Sequence, residues 1–257
     1  MSWNGFKKAV HRAGAGVLVK AQDKTVDKSF DIDDRRYQAL RKAGTSLQKA
    51  LKNYLDGIRA VTVAQVAIAD IVSQLSTLIS HAGQVYLDTM RNFDLDRDAQ
   101  IDTPFRETVL DPVTNFTNYF TETDAAIKKR NHKKTDYEMC KAKVRKLIDK
   151  PPKDAGKLPA AEKELALAKA IYEELNEQLK QELPILISLR VPYFDPLFEA
   201  CIKVHKRFCT ELYARLAQIQ QYLPPETRDQ YANGELDTQI DDMIVHMNSL
   251  NIATLGR

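Results

Sequence analysis

The sequence predicts an all-α protein, an elongated and kinked antiparallel three-helix coiled coil that pairs with a second subunit. Three observations point there. The 257 residues contain only 9 Gly and 10 Pro with 44% hydrophobic residues, too little punctuation for many short strands. Apolar residues recur at alternating steps of 3 and 4 over long stretches, the seam of a coiled coil. Finally, Lys128–Lys157 holds twelve Lys or Arg against four acids, so +8 sits in thirty residues of a chain whose formal charge is +3. Such a segregated field is a docking surface for something anionic, with nucleic acid and a membrane both open on composition alone.

The first segment, residues 1–25, carries Lys7, Lys8, Arg12 and Lys20 and no acid before Asp23. As a helix it stacks Trp3, Phe6, Val10 and Val17 on one side, with the cations mostly elsewhere. That is the pattern of an amphipathic helix lying in a membrane interface. Gly5, Gly14 and Gly16 lower its helix propensity, so it is expected to fold only on a lipid surface.

From Tyr37 the heptads run through Leu40, Gly44, Leu47, Leu51, Tyr54, Ile58, Val61, Gln65, Ile68, Val72, Leu75 and Ile79. They predict a first helix of about 45 residues, against about 11–12 for an ordinary globular helix. Asp31, Asp33 and Asp34 suit its first turn, and Gly83 marks its end. The stretch from Arg91 to Pro112 reads as a linker. Its Asp94, Asp96 and Asp98 imitate the start of a calcium loop, but Ala99 and Phe105 stand where Gly and Glu would be needed.

The second helix is expected from about Pro112 to Lys150, with Arg130 and Lys133 at seam positions that should be apolar. Such charges need solvent, an acidic partner or a phosphate. Pro151, Pro152, Gly156 and Pro159 force a tight tip that exposes Lys150, Lys153 and Lys157. A third helix resumes and runs to about Tyr222, bending at Pro184, Pro192 and Pro196 without ending, until Pro224 and Pro225 stop it. The tail, residues 224–257, has one short amphipathic piece: Leu236, Ile240, Met243, Ile244 and Met247. Three such helices leave apolar surface along one side, and dimerisation covers it.

Cys140, Cys201 and Cys209 lie in helical patterns without CxxC spacing, which argues for a reducing compartment and against disulfides or zinc. There is no long apolar run or signal sequence, so the chain reads as cytoplasmic. No phosphate-binding, nucleophile-elbow or metalloprotease motif is present, and the expectation is a protein that is not an enzyme and takes no cofactor or metal. His205, on an apolar stripe of the third helix, is expected as a packed core residue.

Ile127-Lys128-Lys129-Arg130 with Lys133 and Asp136-Tyr137 in the second helix, Glu182-Leu183-Pro184 with Arg190-Val191 and Phe194 in the third, and the start MSWNGFKKAVHRAG together resemble the BAR domains of the amphiphysin group. The resemblance is to the N-BAR type and, within it, the short fungal Rvs-type members, and it covers residues 1 to 222. It implies a crescent-shaped dimer whose concave side binds anionic lipids, often phosphoinositides, and senses or generates curvature. It implies action in endocytosis, cortical actin organisation at actin patches, and cell polarity or fusion. Lys129, Arg130 and Lys133 match the family's concave basic motif, which the same run extends to Lys134 and Lys141. Lys150, Lys153 and Lys157 match its basic tip. Trp3, Phe6 and Val10, with Lys7, Lys8 and Arg12, match its membrane-inserting helix.

Residues 26–223 are then the BAR domain. Many relatives carry a Src-homology-3 domain that this sequence leaves no room for, which implies a heterodimer with a longer amphiphysin-like subunit, or a homodimer in isolation. A nucleic-acid-binding coiled coil and a purely structural spacer are the competing readings. Against the former, the basic run lacks interleaved aromatics for base stacking.

Overall fold

A computed structural model describes residues 24–76, 81–250 and 252. The described residues are helical, joined by short turns, with no strand among them. Helix α1 is Lys28–Ser76, α2 is Ala82–Arg97, α3 is Asp111–Asp149, α4 is Lys157–Gln220, α5 is Pro225–Ala232 and α6 is Glu235–Ser249. Two compact units divide them, one built from residues up to Lys52 with Thr108–Glu199, the other from Asn53–Glu107 with Ala200–Arg257.

In the first unit α1, α3 and α4 pack around Phe30, Tyr37, Phe116, Phe120, Ile127, Leu179 and Leu183. The rings of Phe116 and Phe120 meet edge to face at 5.2 Å, as do those of Tyr37 and Phe120 at 5.9 Å. Gly44 lies close against Phe120: a Cβ there would sit 3.0 Å from Cε2 of that ring, which would have to give by a few tenths of an ångström. The Tyr37 hydroxyl lies 2.8 Å from Oδ1 of Asp124 and 3.1 Å from the carbonyl of Phe120. Burial and the Asp124 carboxylate push that phenol well above its ordinary range.

The start of α1 is set by Asp27, whose carboxylate accepts the Phe30 amide at 3.1 Å as an N-cap. The same carboxylate accepts a hydrogen bond from Asn176 at 2.7 Å and lies 3.8 Å from the Lys180 ammonium. Burial alone would raise its pKa. The Asn176 bond, the Phe30 amide and the charges of Lys180 and Arg130 outweigh it and hold the carboxyl below the usual range. Folding therefore lowers this pKa, so the stabilisation is full above the ordinary carboxylate value near 4 and is lost as pH falls through the folded value. Asp27→Asn keeps a capping oxygen but removes the charge that meets Asn176, Lys180 and Arg130, and is expected to cost about 1 kcal/mol at neutral pH. The gap between the two proteins should close in urea titrations as pH drops below about 4.

In the second unit Ala69, Leu87 and Met90 form a core that gathers Val66, Tyr86, Leu212 and Ile219. Here the stretch expected to be a linker is helical. Between α2 and α3 run two π-helical turns, Asp98–Asp102 and Arg106–Leu110, around a short α-helical piece, Thr103–Phe105. Its aspartates disfavour helix, but Ile101, Phe105 and Val109 are buried, and that packing overrides propensity. Asp94 pairs with Arg97 one turn on within α2 at 3.2 Å, and Asp96 with Arg215 of α4 at 2.6 Å, so only the second pair joins two helices. Asp102 is buried, with Oδ2 2.6 Å from Nε of Arg59 and 2.8 Å from Arg97. Gly83, expected as the end of the first helix, is instead buried inside α2, and α1 is described as far as Ser76.

The burial pattern along α1 departs from the heptads. Of the heptad positions Tyr37, Gly44 and Ile58 are buried, but beyond Ile58 the buried residues Thr62, Ala69 and Ser73 each fall one place after a heptad position, the slip that a straight helix of about 3.6 residues per turn makes against a 3.5 repeat. The heptad positions drift off this stripe, and Val61, Ile68, Val72 and Leu75 emerge on the surface. Helix α4 runs through Pro184, Pro192 and Pro196 unbroken, as expected. His205 is a correction: it is exposed, its ring stacked on Tyr54 at 5.5 Å with Nδ1 2.8 Å from the tyrosine hydroxyl. The cysteines are free, and burial pushes the Cys140 and Cys201 thiols up, keeping them neutral.

Candidate functional site

The basic run occupies the second half of α3 and the turn into α4, all within the first unit. Lys128 and Lys129 are exposed, and Lys133, Lys134 and Lys141 are half-buried along the same helix. Lys133 reaches Asp136 only at 3.9 Å, and among the described residues Lys129, Lys134 and Lys141 make no ion pair. Lys143 differs: it binds Glu164 of α4 at 2.6 Å, and that hydrogen bond raises its pKa. It ties α3 to α4.

At the tip, Lys150, Lys153 and Lys157 are exposed. The turn is built by Asp154, whose carboxylate accepts the Gly156 amide at 3.0 Å, while its carbonyl accepts the amide of Lys157 at 3.3 Å. Its acid therefore shapes the loop that presents three lysines. Trp3, Phe6, Lys7, Lys8, Val10 and Arg12 lie outside the described residues.

Arg130 requires a correction. Only 2% exposed, it does not belong to the basic surface. Its guanidinium lies 3.7 Å from the centre of the Phe30 ring. Nε donates to Asn176 at 2.8 Å, one terminal nitrogen to Tyr172 at 3.2 Å and the other to Asn131 at 3.0 Å. With Asp27 bonded to the same Asn176, the arginine locks the start of α1 onto α3 and α4. The seam charge thus finds polar partners and an aromatic face inside the protein. Its heptad position signalled burial; the partners, 42 and 46 residues away in sequence, could not be seen.

The sequence reading also missed Glu138, whose carboxylate accepts the Thr25 amide at 2.7 Å and pins the chain just before α1 against α3.

A profile of the BAR domain family matches residues 6–224. The chain belongs to the BAR domain family. It is 61% identical over 264 residues to the Candida albicans protein "Regulator of cytoskeleton and endocytosis RVS161", across 100% of both chains. It is 56% identical over 263 residues to the Saccharomyces cerevisiae "Reduced viability upon starvation protein 161", covering 100% of this chain and 99% of that one. The BAR domain of Drosophila amphiphysin superposes with a TM-score of 0.58 at 24% identity, over 79% of this chain and 97% of that domain, a likeness of fold. The fold is therefore the all-α BAR fold, and the BAR proteins are membrane-curvature scaffolds rather than enzymes. Among the described residues no helix is long and apolar enough to cross a membrane.

Proposed function

We propose that this BAR protein works as a curved dimer that binds anionic phospholipid, phosphoinositides among them, and senses or imposes curvature at endocytic sites of the cell cortex. The observation that carries the reading is the set of lysines on α3 and the tip, Lys129, Lys133, Lys134, Lys141, Lys150, Lys153 and Lys157, at the surface of a BAR fold. Each cation near an anionic leaflet contributes about 1 kcal/mol, less as salt rises, so several per subunit give reversible binding. Residues 26–223 supply this scaffold. Residues 1–25 add a wedge, Trp3, Phe6 and Val10 entering one leaflet while Lys7, Lys8 and Arg12 meet headgroups. The name of the Candida relative, a regulator of cytoskeleton and endocytosis, supports the endocytic and cytoskeletal setting, and cortical actin patches are the place proposed for it.

The second subunit covers the exposed stripe Val61, Ile68, Val72 and Leu75 of α1, either as a copy of this chain or as a longer amphiphysin-like partner bearing a Src-homology-3 domain.

Co-sedimentation with vesicles graded in phosphoinositide content and diameter, with electron microscopy for tubules, tests the reading. Indifference to both variables defeats it. Lys129→Glu with Lys133→Glu is expected to weaken pelleting at least about tenfold, two reversed charges removing about 2 kcal/mol or more, with helicity unchanged. Phe6→Glu should reduce tubulation more than pelleting, and equal loss of both counts against a separate wedge.

A further inference from the structure

Helix α6 lies beyond the residues matched by the BAR family profile, and no residue of it is buried. Leu236, Ile240, Met243, Ile244 and Met247 stack along one side of it at steps of three and four. The rest carries Glu235, Asp237, Asp241 and Asp242, and residues 235–249 contain no Lys or Arg. The helix starts from Gly234, in the left-handed region at φ 74°, so α6 leaves α5 through a position that favours glycine. Relatives at 61% and 56% identity align over essentially their whole length, so this segment has a counterpart in both.

We propose that α6 is a docking helix that lays its apolar stripe into a groove of another protein, apolar along its floor and rimmed by Lys or Arg.

Charge selects this occupant. A helix that settles on an anionic leaflet carries cations beside its apolar stripe, whereas this one carries four acids and is repelled. A second copy of α6 would bring four more acids against these four, which disfavours self-pairing. A basic-rimmed groove meets both the stripe and its flanks, with anchors at the i, i+4, i+7, i+8 and i+11 spacing of helix-in-groove recognition. Met243 and Met247 supply adaptable contacts on such a surface. The residues of this proposal are not those of the lipid-binding proposal, so the two stand or fall apart.

Photo-cross-linking tests it. The full chain, with benzoylphenylalanine at Met243 or, as a control on the acidic side, at Thr238, is irradiated in Saccharomyces cerevisiae cells and the joined peptides are sequenced. The expected result is a heterologous cross-link from position 243 alone, to a peptide with Lys or Arg among apolar residues. The purified pair should then weaken with rising salt, and at least tenfold on Ile240→Asp and on Asp241→Lys with Asp242→Lys. A cross-link to a second copy of this chain, no cross-link, equal cross-linking from 238, or a pair insensitive to these substitutions overturns the proposal. So does a loss of phosphatidylserine-vesicle pelleting on Ile240→Asp, which would make the helix a membrane contact.

Discussion

Arg130→Ala is expected to destabilise the protein by about 3 kcal/mol while leaving vesicle binding per folded molecule unchanged. The substitution strips Asn176 and Tyr172 of a charged donor, empties the space over the Phe30 ring and removes a positive charge near the Asp27 cap. Losing one partner of a buried hydrogen bond costs about 1–3 kcal/mol, and the cavity adds to that. Arg130→Lys should recover little, because an ammonium neither stacks flat on Phe30 nor reproduces the planar fork of donors. Urea denaturation followed by circular dichroism reads the stability, and pelleting at a temperature where both proteins are folded reads the binding. A variant that keeps its stability and loses its vesicles would return Arg130 to the lipid surface.

Ile68→Asp with Leu75→Asp is expected to turn the dimer into monomers. In the single chain these side chains are 54% and 79% exposed, although both occupy heptad positions of a helix whose other stripe is buried. Covering an Ile or Leu contributes about 1.5–3 kcal/mol each, and a carboxylate in its place adds a desolvation cost. The double change should weaken association more than about a thousandfold, about 4 kcal/mol. Sedimentation equilibrium should show the mass halve with helicity retained, and tubulation should disappear with it. An unchanged mass would place the interface elsewhere.

The long helices and the proline tip were legible because heptad spacing and Pro/Gly punctuation are local signals. Three other features were not, each for a physical reason. The aspartate-rich stretch before Pro112 looks like a loop, and only the burial of Ile101, Phe105 and Val109 makes it helical. On α1 the heptads keep a 3.5-residue period while a straight helix turns about every 3.6, so beyond Ile58 the buried residues fall one place later than the heptad positions. Arg130 and Lys133 look alike in the sequence, but only Arg130 has Phe30, Tyr172 and Asn176 folded around it. For the basic surface, charge density located the region, and hydrogen bonding then sorted its members: Lys143 went to Glu164, while among the described residues Lys129 and Lys134 make no ion pair.

The two stripes on α1 also make subunit composition measurable. In a two-fold homodimer every substitution at Ile68 or Leu75 occurs twice, whereas in a heterodimer it occurs once. Where the two sites act independently, the logarithm of the affinity loss for a homodimer is twice that for a mixed pair. One conservative change, Ile68→Val, titrated against itself and against a longer partner, would therefore count the copies of this chain in the assembly without an image of it.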